Sequence, residues 1–222
     1  MEAERDLMGA YIELERIRKS FGREEILKEL TWQVEEGAVY GIVGNNGSGK
    51  TVLMKCICGF LPVTSGMVRV GGRVIGLETD FPESLGVIIE TPGFLMNLSG
   101  KRNLEILADL KKQIQEREII RTMKQVGLDP ELKKPVARYS LGMRQRLGIA
   151  QAIMEDPRLL VLDEPFNGLD RNGTREIREI LLDQKKRGKT ILLASHNRED
   201  IRILCDRVFE MDGGVMREVE RL

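Results

Sequence analysis

An unbroken apolar run, Val39 to Val43, is followed at once by Gly44-Asn45-Asn46-Gly47-Ser48-Gly49-Lys50-Thr51 and then by a segment whose apolar residues include Leu53, Met54 and Ile57. Strand, glycine-rich turn of spacing G-x-x-x-x-G-K-[ST] and helix, in that order, define a phosphate-binding loop rather than an ordinary turn. The glycines let backbone N–H groups turn inward on an anion, and the helix N-terminus adds positive potential. Lys50 is placed to neutralise β- and γ-phosphate oxygens and Thr51 to hold Mg²⁺. The candidate nucleotide-binding residues are therefore Gly44, Asn45, Asn46, Gly47, Ser48, Gly49, Lys50, Thr51 and Val52.

Two further apolar runs, Leu159 to Leu162 and Ile191 to Ala194, share the character of Val39 to Val43. Short runs without alternation are expected of parallel strands covered on both faces. Each leads into a helix-like segment, the pattern of a right-handed crossover α/β core. Open α/β sheets bind ligands at the C-terminal ends of their strands, and that is where Asp163-Glu164 and Ser195-His196 fall. Asp163 is placed to bind Mg²⁺ through water, and Glu164 to polarise an attacking water. Pro165 suits a sharp turn, leaving Asn167-Gly168-Leu169-Asp170 as a loop beside the site. His196 is the only histidine of the chain.

From Tyr11 to Val34 apolar residues alternate, predicting strands with one wet face, and Gly71-Gly72 within Met67 to Ile75 predicts a hairpin. From about Leu98 to Glu155 the pattern turns mostly helical. Leu104, Leu107 and Ala108 share one face, and Ile119, Met123 and Val126 another, ahead of the stop Gly127 and Pro130. Met143, Leu147, Ala150 and Met154 line a third helix that starts at the capping residue Ser140.

Composition narrows the function. At 222 residues with 41% hydrophobic side chains the chain can bury a real core, and with 35 basic and 35 acidic residues it has no global field to attract nucleic acid or an anionic membrane. Three cysteines suit a reducing compartment, and Cys56 and Cys58, two apart on a helix, face away from each other and read as packing residues. The acidic segment Met1 to Asp6 is not the start of a signal peptide, and no apolar stretch approaches the ~20 residues that cross a bilayer. Any membrane role requires a partner.

With these motifs in this order, the chain resembles the ATPase subunit of an ATP-binding cassette (ABC) transporter over nearly its whole length. The resemblance implies an α/β fold: a P-loop NTPase core with a mixed parallel sheet, an antiparallel β subdomain and an inserted α-helical lobe. It implies one ABC ATPase domain over 1–222, with the core from 1–90 and 158–222 and the helical lobe from 91–157. In that family two subunits face head to tail, each ATP lying between the phosphate loop of one and the signature helix of the other. Tyr139-Ser140-Leu141-Gly142-Met143 matches that signature, with Ser140 and Gly142 as the contacts to the partner's ATP. Leu141 stands where the family usually has glycine, and Met143 where it usually has glutamine. By the same resemblance Phe21 is the aromatic that stacks on adenine, Asp170 the interface-loop aspartate, and His196 the histidine that contacts the γ-phosphate. Glu164, His196 and Lys50 are then the catalytic residues, with ATP and Mg²⁺ as ligands.

The sharpest departure is Glu90, in Gly86-Val87-Ile88-Ile89-Glu90-Thr91-Pro92-Gly93-Phe94, where the family usually carries a glutamine that touches Mg²⁺. A carboxylate about 8 Å from a phosphate charge costs roughly 2 kcal/mol at an effective dielectric of 20, a penalty that Mg²⁺ ligation by Glu90 offsets. Glutamate here, with Asn97-Leu98-Ser99-Gly100 after it, is similar to the branch exporting or resisting bacitracin and lantibiotics. The resemblance thus implies an integral-membrane permease as partner, a second ATPase subunit in a homodimer or heterodimer, and a location on the cytoplasmic face of the membrane. Two other readings stay open. A soluble ABC ATPase acting on nucleic acid or ribosomes would carry paired cassettes or sustained heptads, and neither is present. A non-hydrolysing regulatory partner would fit the altered signature but not the presence of Glu164 and His196.

Overall fold

A computed structural model of the chain describes residues 10–219, so the N-terminal segment Met1 to Asp6 lies outside the described residues. Ten strands and six α-helices form two sheets and a group of helices. β1 (Ile12–Phe21), β2 (Glu24–Val34), β4 (Ser65–Val70) and β5 (Arg73–Val74) make an antiparallel sheet in the order β2-β1-β4-β5. β4 and β5 are the expected hairpin around Gly71-Gly72.

The second sheet has the order β10-β9-β3-β8-β7-β6. It contains β3 (Val39–Val43), β6 (Leu85–Ile88), β7 (Leu159–Asp163), β8 (Thr190–Ala194), β9 (Arg207–Asp212) and β10 (Val215–Val219). Every pairing is parallel except β9 with β10. β3, β7 and β8 bury nearly every residue, as unbroken apolar runs require. β6, β9 and β10 were not expected. Glycine in β6 and charges along β9 and β10 break the apolar signal of these outer strands.

The two sheets share a core in which Trp32 of β2 meets Phe209 of β9 edge-on at 5.1 Å and Tyr40 of β3 at 5.7 Å. α1 (Lys50–Ile57) runs from the glycine-rich loop into this core, burying Leu53, Met54 and Ile57. Cys56 and Cys58 are buried here too, and burial pushes their thiols up to about 11 and about 12. They are packing residues, as their spacing predicts.

Between β6 and β7 lie α2 (Gly100–Lys111), α3 (Glu116–Gln125) and α4 (Leu141–Ile153). Ser99 caps α2 and Ser140 caps α4, each side-chain oxygen accepting a backbone N–H three residues on. Leu104, Ala108, Ile119, Met123, Val126, Leu147 and Ala150 join these helices to the other face of the sheet, with Leu107 and Met143 packed at the margin. α5 (Arg171–Lys186) and α6 (Arg198–Leu204) follow β7 and β8 as crossover helices.

α4 approaches β6 closely because Gly86 has no side chain. A Cβ there would stand 1.9 Å from the carbonyl oxygen of Ala152. Gly86→Ala is expected to destabilise the protein by about 1–3 kcal/mol, the range of overpacked cores, as a shift of the urea midpoint.

Candidate functional site

β3, β7 and β8 are neighbours in register, with Ile42 and Asp163 both opposite Ala194. The loops leaving their C-terminal ends therefore open onto one place. There lies a cleft of about 700 Å³, bounded by Asn46, Gly47, Gly49, Lys50, Thr51, Val52, Glu90, Asp163 and Glu164. Gly44, Asn45 and Ser48 complete the loop below it.

The loop is built as an anion cradle. Gly44, Gly47 and Gly49 have φ of 147°, 79° and 109°, conformations in which a side chain is strained. Gly44 also lies so near β9 that a Cβ would stand 2.2 Å from the carbonyl oxygen of Met211. Lys50 is buried, and its Nζ donates to the carbonyl oxygens of Gly44 and Asn45 at 2.7 and 2.9 Å. The buried Ser48 Oγ has no hydrogen-bond partner, the kind of polar atom that a bound group satisfies. Thr51 Oγ1 donates to Asp163 Oδ2 at 2.6 Å, tying the start of α1 to the end of β7.

Glu164 takes φ of 50°, which turns the chain sharply after β7, while its N–H donates to Ala194 of β8 at 2.9 Å. His196 Nδ1 lies 2.8 Å from Glu164 Oε2, a quarter-exposed carboxylate against a mostly exposed imidazole. The turn bearing His196 is anchored from beneath. Asn197 N–H donates to Ser195 Oγ at 3.1 Å, and Ser195 Oγ in turn lies 3.5 Å from Asp200 Oδ2. The Asp200 side chain is fully buried and accepts from Arg178 Nε of α5 at 2.6 Å. Burial pushes the Asp200 carboxyl up and the Arg178 guanidinium opposes it.

Apart from Gly44, Asn45 and Ser48 below it, five of the sequence-predicted residues lie off the cleft wall, and one of them, His196, reaches the site through Glu164. Phe21 is about half exposed at the end of β1, opposite Glu24, which does border the cleft, with Lys19 Nζ 4.9 Å from its ring centre. Ser140 Oγ is occupied as the α4 cap, accepting from Met143 N–H at 3.2 Å. Gly142 faces the carbonyl oxygen of Gly168, which a Cβ would meet at 2.9 Å. Asp170 caps α5, accepting from Gly173 N–H at 2.8 Å. Thus the signature segment and the Asn167–Asp170 loop pack on each other within one chain.

Several residues around the site were missed, Glu24, Ile26, Thr91 and Asn167 of the cleft wall among them. Leu141 and Gln145 border the cleft, and Gln145 Nε2 donates to the Pro165 carbonyl oxygen at 2.8 Å, joining α4 to the turn after Glu164. Their spacing of four along α4 puts them on one face, a signal that the helix reading contained. Lys55 Nζ lies 2.7 Å from Glu90 Oε1, an ion pair that no sequence pattern announces.

A glycine-rich loop, a hydroxyl–carboxylate pair and a carboxylate–imidazole pair, gathered at the C-terminal ends of adjacent parallel strands, suit the hydrolysis of a nucleoside triphosphate. The family model described as ABC transporter matches residues 27–167. The chain is 40% identical over 222 residues to the bacitracin transport ATP-binding protein BcrA of Enterococcus faecalis, covering 96% of this chain and 70% of that one. It is 37% identical over 210 residues to the lantibiotic transport ATP-binding protein SrtF of Streptococcus pyogenes, covering 94% of this chain and 90% of that one. A dimeric post-hydrolysis state of the ATP-binding cassette MJ0796, bound to ADP and Pi, matches with a TM-score of 0.84 at 20% identity. That match covers 95% of this chain and 100% of the other and is a likeness of fold. The chain belongs to the ABC transporter ATP-binding proteins, the ATP-hydrolysing subunits that dimerise and work with membrane permeases.

The anchor beneath His196 can be tested directly. Asp200→Ala leaves the Arg178 charge with only the exposed Glu199 and is expected to cost about 3 kcal/mol in urea denaturation.

Proposed function

We propose that this chain is the ATP-hydrolysing subunit of an exporter of peptide antibiotics or similar amphiphilic compounds. The observation that carries hydrolysis is the Glu164–His196 pair at 2.8 Å, set over a phosphate cradle. The cargo class is supported by the bacitracin and lantibiotic transport relatives and by Glu90-Thr91-Pro92-Gly93-Phe94.

ATP binding exchanges internal contacts for phosphate contacts. The Lys50 ammonium leaves the Gly44 and Asn45 carbonyls for the β- and γ-oxygens, and the loop N–H groups and Ser48 Oγ take the remaining oxygens. Phe21 stacks on the adenine, and Val52 continues the α1 end of the site.

Among the described residues no group of three or more His, Cys, Asp or Glu side chains gathers to cage a metal. Mg²⁺ does not need one, since it keeps several waters and uses one or two carboxylates plus substrate phosphates. The Thr51 hydroxyl and Asp163 carboxylate, 2.6 Å apart, suit that ion, with Glu90 as a further carboxylate. When bound, it neutralises charge developing on the phosphate oxygens.

Glu164 acts as general base, accepting the proton of a water that attacks the γ-phosphorus as the bond to the β-phosphate oxygen breaks and ADP leaves with that oxygen. His196 holds the Glu164 carboxylate through Nδ1 and steadies the γ-phosphate and water with the rest of its exposed ring. Ser140 and Gly142 at the start of α4 complete the pocket of a second copy across the interface, with Asp170 beside them. Closure of the pair around ATP pulls on the permease, and hydrolysis lets it reopen. No described helix is long and apolar enough to cross a membrane. In this reading the permease carries the passage and holds this subunit at the cytoplasmic face.

Glu164→Gln tests the assignment. The variant is expected to bind ATP, to turn over about 100-fold more slowly or worse, and to accumulate an ATP-dependent dimer in light scattering. Hydrolysis at the parent rate would remove Glu164 from the mechanism. A variant that stays monomeric in ATP would point to a heterodimer with a different subunit.

A further inference from the structure

We infer that Lys55 is a positioning residue for Glu90: it holds the carboxylate against α1 and thereby sets how strongly nucleotide binding depends on Mg²⁺. The inference rests on the reading of Glu90 as a Mg²⁺ ligand.

Three observations converge on this pair. Lys55 Nζ lies 2.7 Å from Glu90 Oε1. Glu90 itself takes φ of 59°, the left-handed region that residues other than glycine rarely adopt, so the chain turns abruptly as it leaves β6. And Glu90 borders two cavities: the nucleotide cleft, and a second of about 240 Å³ whose walls include Lys55, Phe60, Pro92 and Gln151. The carboxylate therefore stands at the partition between them, and the ammonium that holds it belongs to the second cavity.

α1 links this pair to the cleft. Lys55 follows Thr51 by four residues, so the two side chains lie one above the other on the same helical face. One turn of helix thus grips both acids: Thr51 holds Asp163 by a hydroxyl, and Lys55 holds Glu90 by a charge.

The strength of the Lys55–Glu90 bond fits a reversible grip. The Glu90 side chain is 65% exposed and that of Lys55 25% exposed. An ion pair so exposed shifts an equilibrium by at most about fivefold, so arriving metal and phosphate can draw the carboxylate away. When nucleotide binds without metal, the ammonium offsets part of the repulsion between Glu90 and the polyphosphate. Without Lys55, a carboxylate without its ion-pair partner faces the phosphates, and binding leans more heavily on Mg²⁺.

The test is equilibrium binding of a fluorescent ATP analogue to the full chain, in Mg²⁺ and in EDTA, for the parent, Lys55→Gln, Glu90→Gln and the double variant. Lys55→Gln is expected to weaken binding in EDTA about 3- to 5-fold while changing binding in Mg²⁺ less than about twofold. Adding Glu90→Gln to Lys55→Gln is expected to restore the EDTA affinity, which a general structural defect would not allow. Equal weakening in both conditions, or no change in either, overturns the role of Lys55. If Glu90→Gln alone leaves the ratio of the two affinities at the parent value, the metal role of Glu90 fails and this inference with it. A ratio moved by Glu90→Gln but not by Lys55→Gln overturns Lys55 only.

Discussion

The parallel pairing of β3, β7 and β8 is the constraint from which the rest of the molecule follows. Ala194 faces Ile42 on one side and Asp163 on the other, so the three strands end within one residue step of each other. A slip of one residue would reverse the faces of a whole strand and withdraw its functional loop by about 3.3 Å. Burial on both faces forbids that slip, because almost every residue of these strands is already in the core. The same apolar packing that stabilises the sheet therefore sets the distances between Thr51 and Asp163 and between Glu164 and His196. Those distances are 2.6 and 2.8 Å.

The central strands and the loops at their ends were legible in the sequence for this reason. Uninterrupted apolar runs have one good solution, and the residues just after them inherit a defined position. Outer strands carry no such signal. β6 contains Gly86, required by its approach to α4, and β9 and β10 alternate charged residues that pair across the ladder, as Arg217 does with Glu210. Their assignment depends on neighbours far away in the chain. Ser140 illustrates a residue that was legible for two reasons at once, as a helix cap and as part of a signature, and the single chain displays the capping role directly. Lys55 was not legible, because it acts on a residue brought close only by the tertiary fold.

Four charged groups of the cleft share one property: each already has a partner from the chain. Lys50 is satisfied by backbone carbonyls, Asp163 by Thr51, Glu90 by Lys55 and Glu164 by His196. Unpaired, these groups would carry a desolvation cost in proportion to their burial. Paired, they are held near their working positions, so ligand binding rearranges short hydrogen bonds rather than ordering free side chains. Preorganisation of this kind lowers the entropic cost of binding. It also fixes the order of difficulty. The exposed Glu90 and His196 are released easily, whereas the buried Lys50 moves only when phosphate oxygens replace the carbonyls that it leaves.

The helices between β6 and β7 connect to the cleft through few but stiff contacts. Gln145 donates to the backbone just after Glu164, and Leu141 fills the space that Gly168 leaves open, where an added Cβ would stand 2.4 Å from Leu141 Cγ. Leucine in place of the family's usual glycine thus has a partner: it packs on the loop that leads into the Asp170 cap of α5. A rotation of α4 would press on Gly168 and on the Pro165 carbonyl together, and both follow Glu164 by four residues or fewer. Because a packed interface has discrete arrangements rather than a continuous range, such a rotation would be felt at Glu164 as a change of position and not as added flexibility. Leu141 and Gln145 therefore couple the helical region to the turn after Glu164 within one chain.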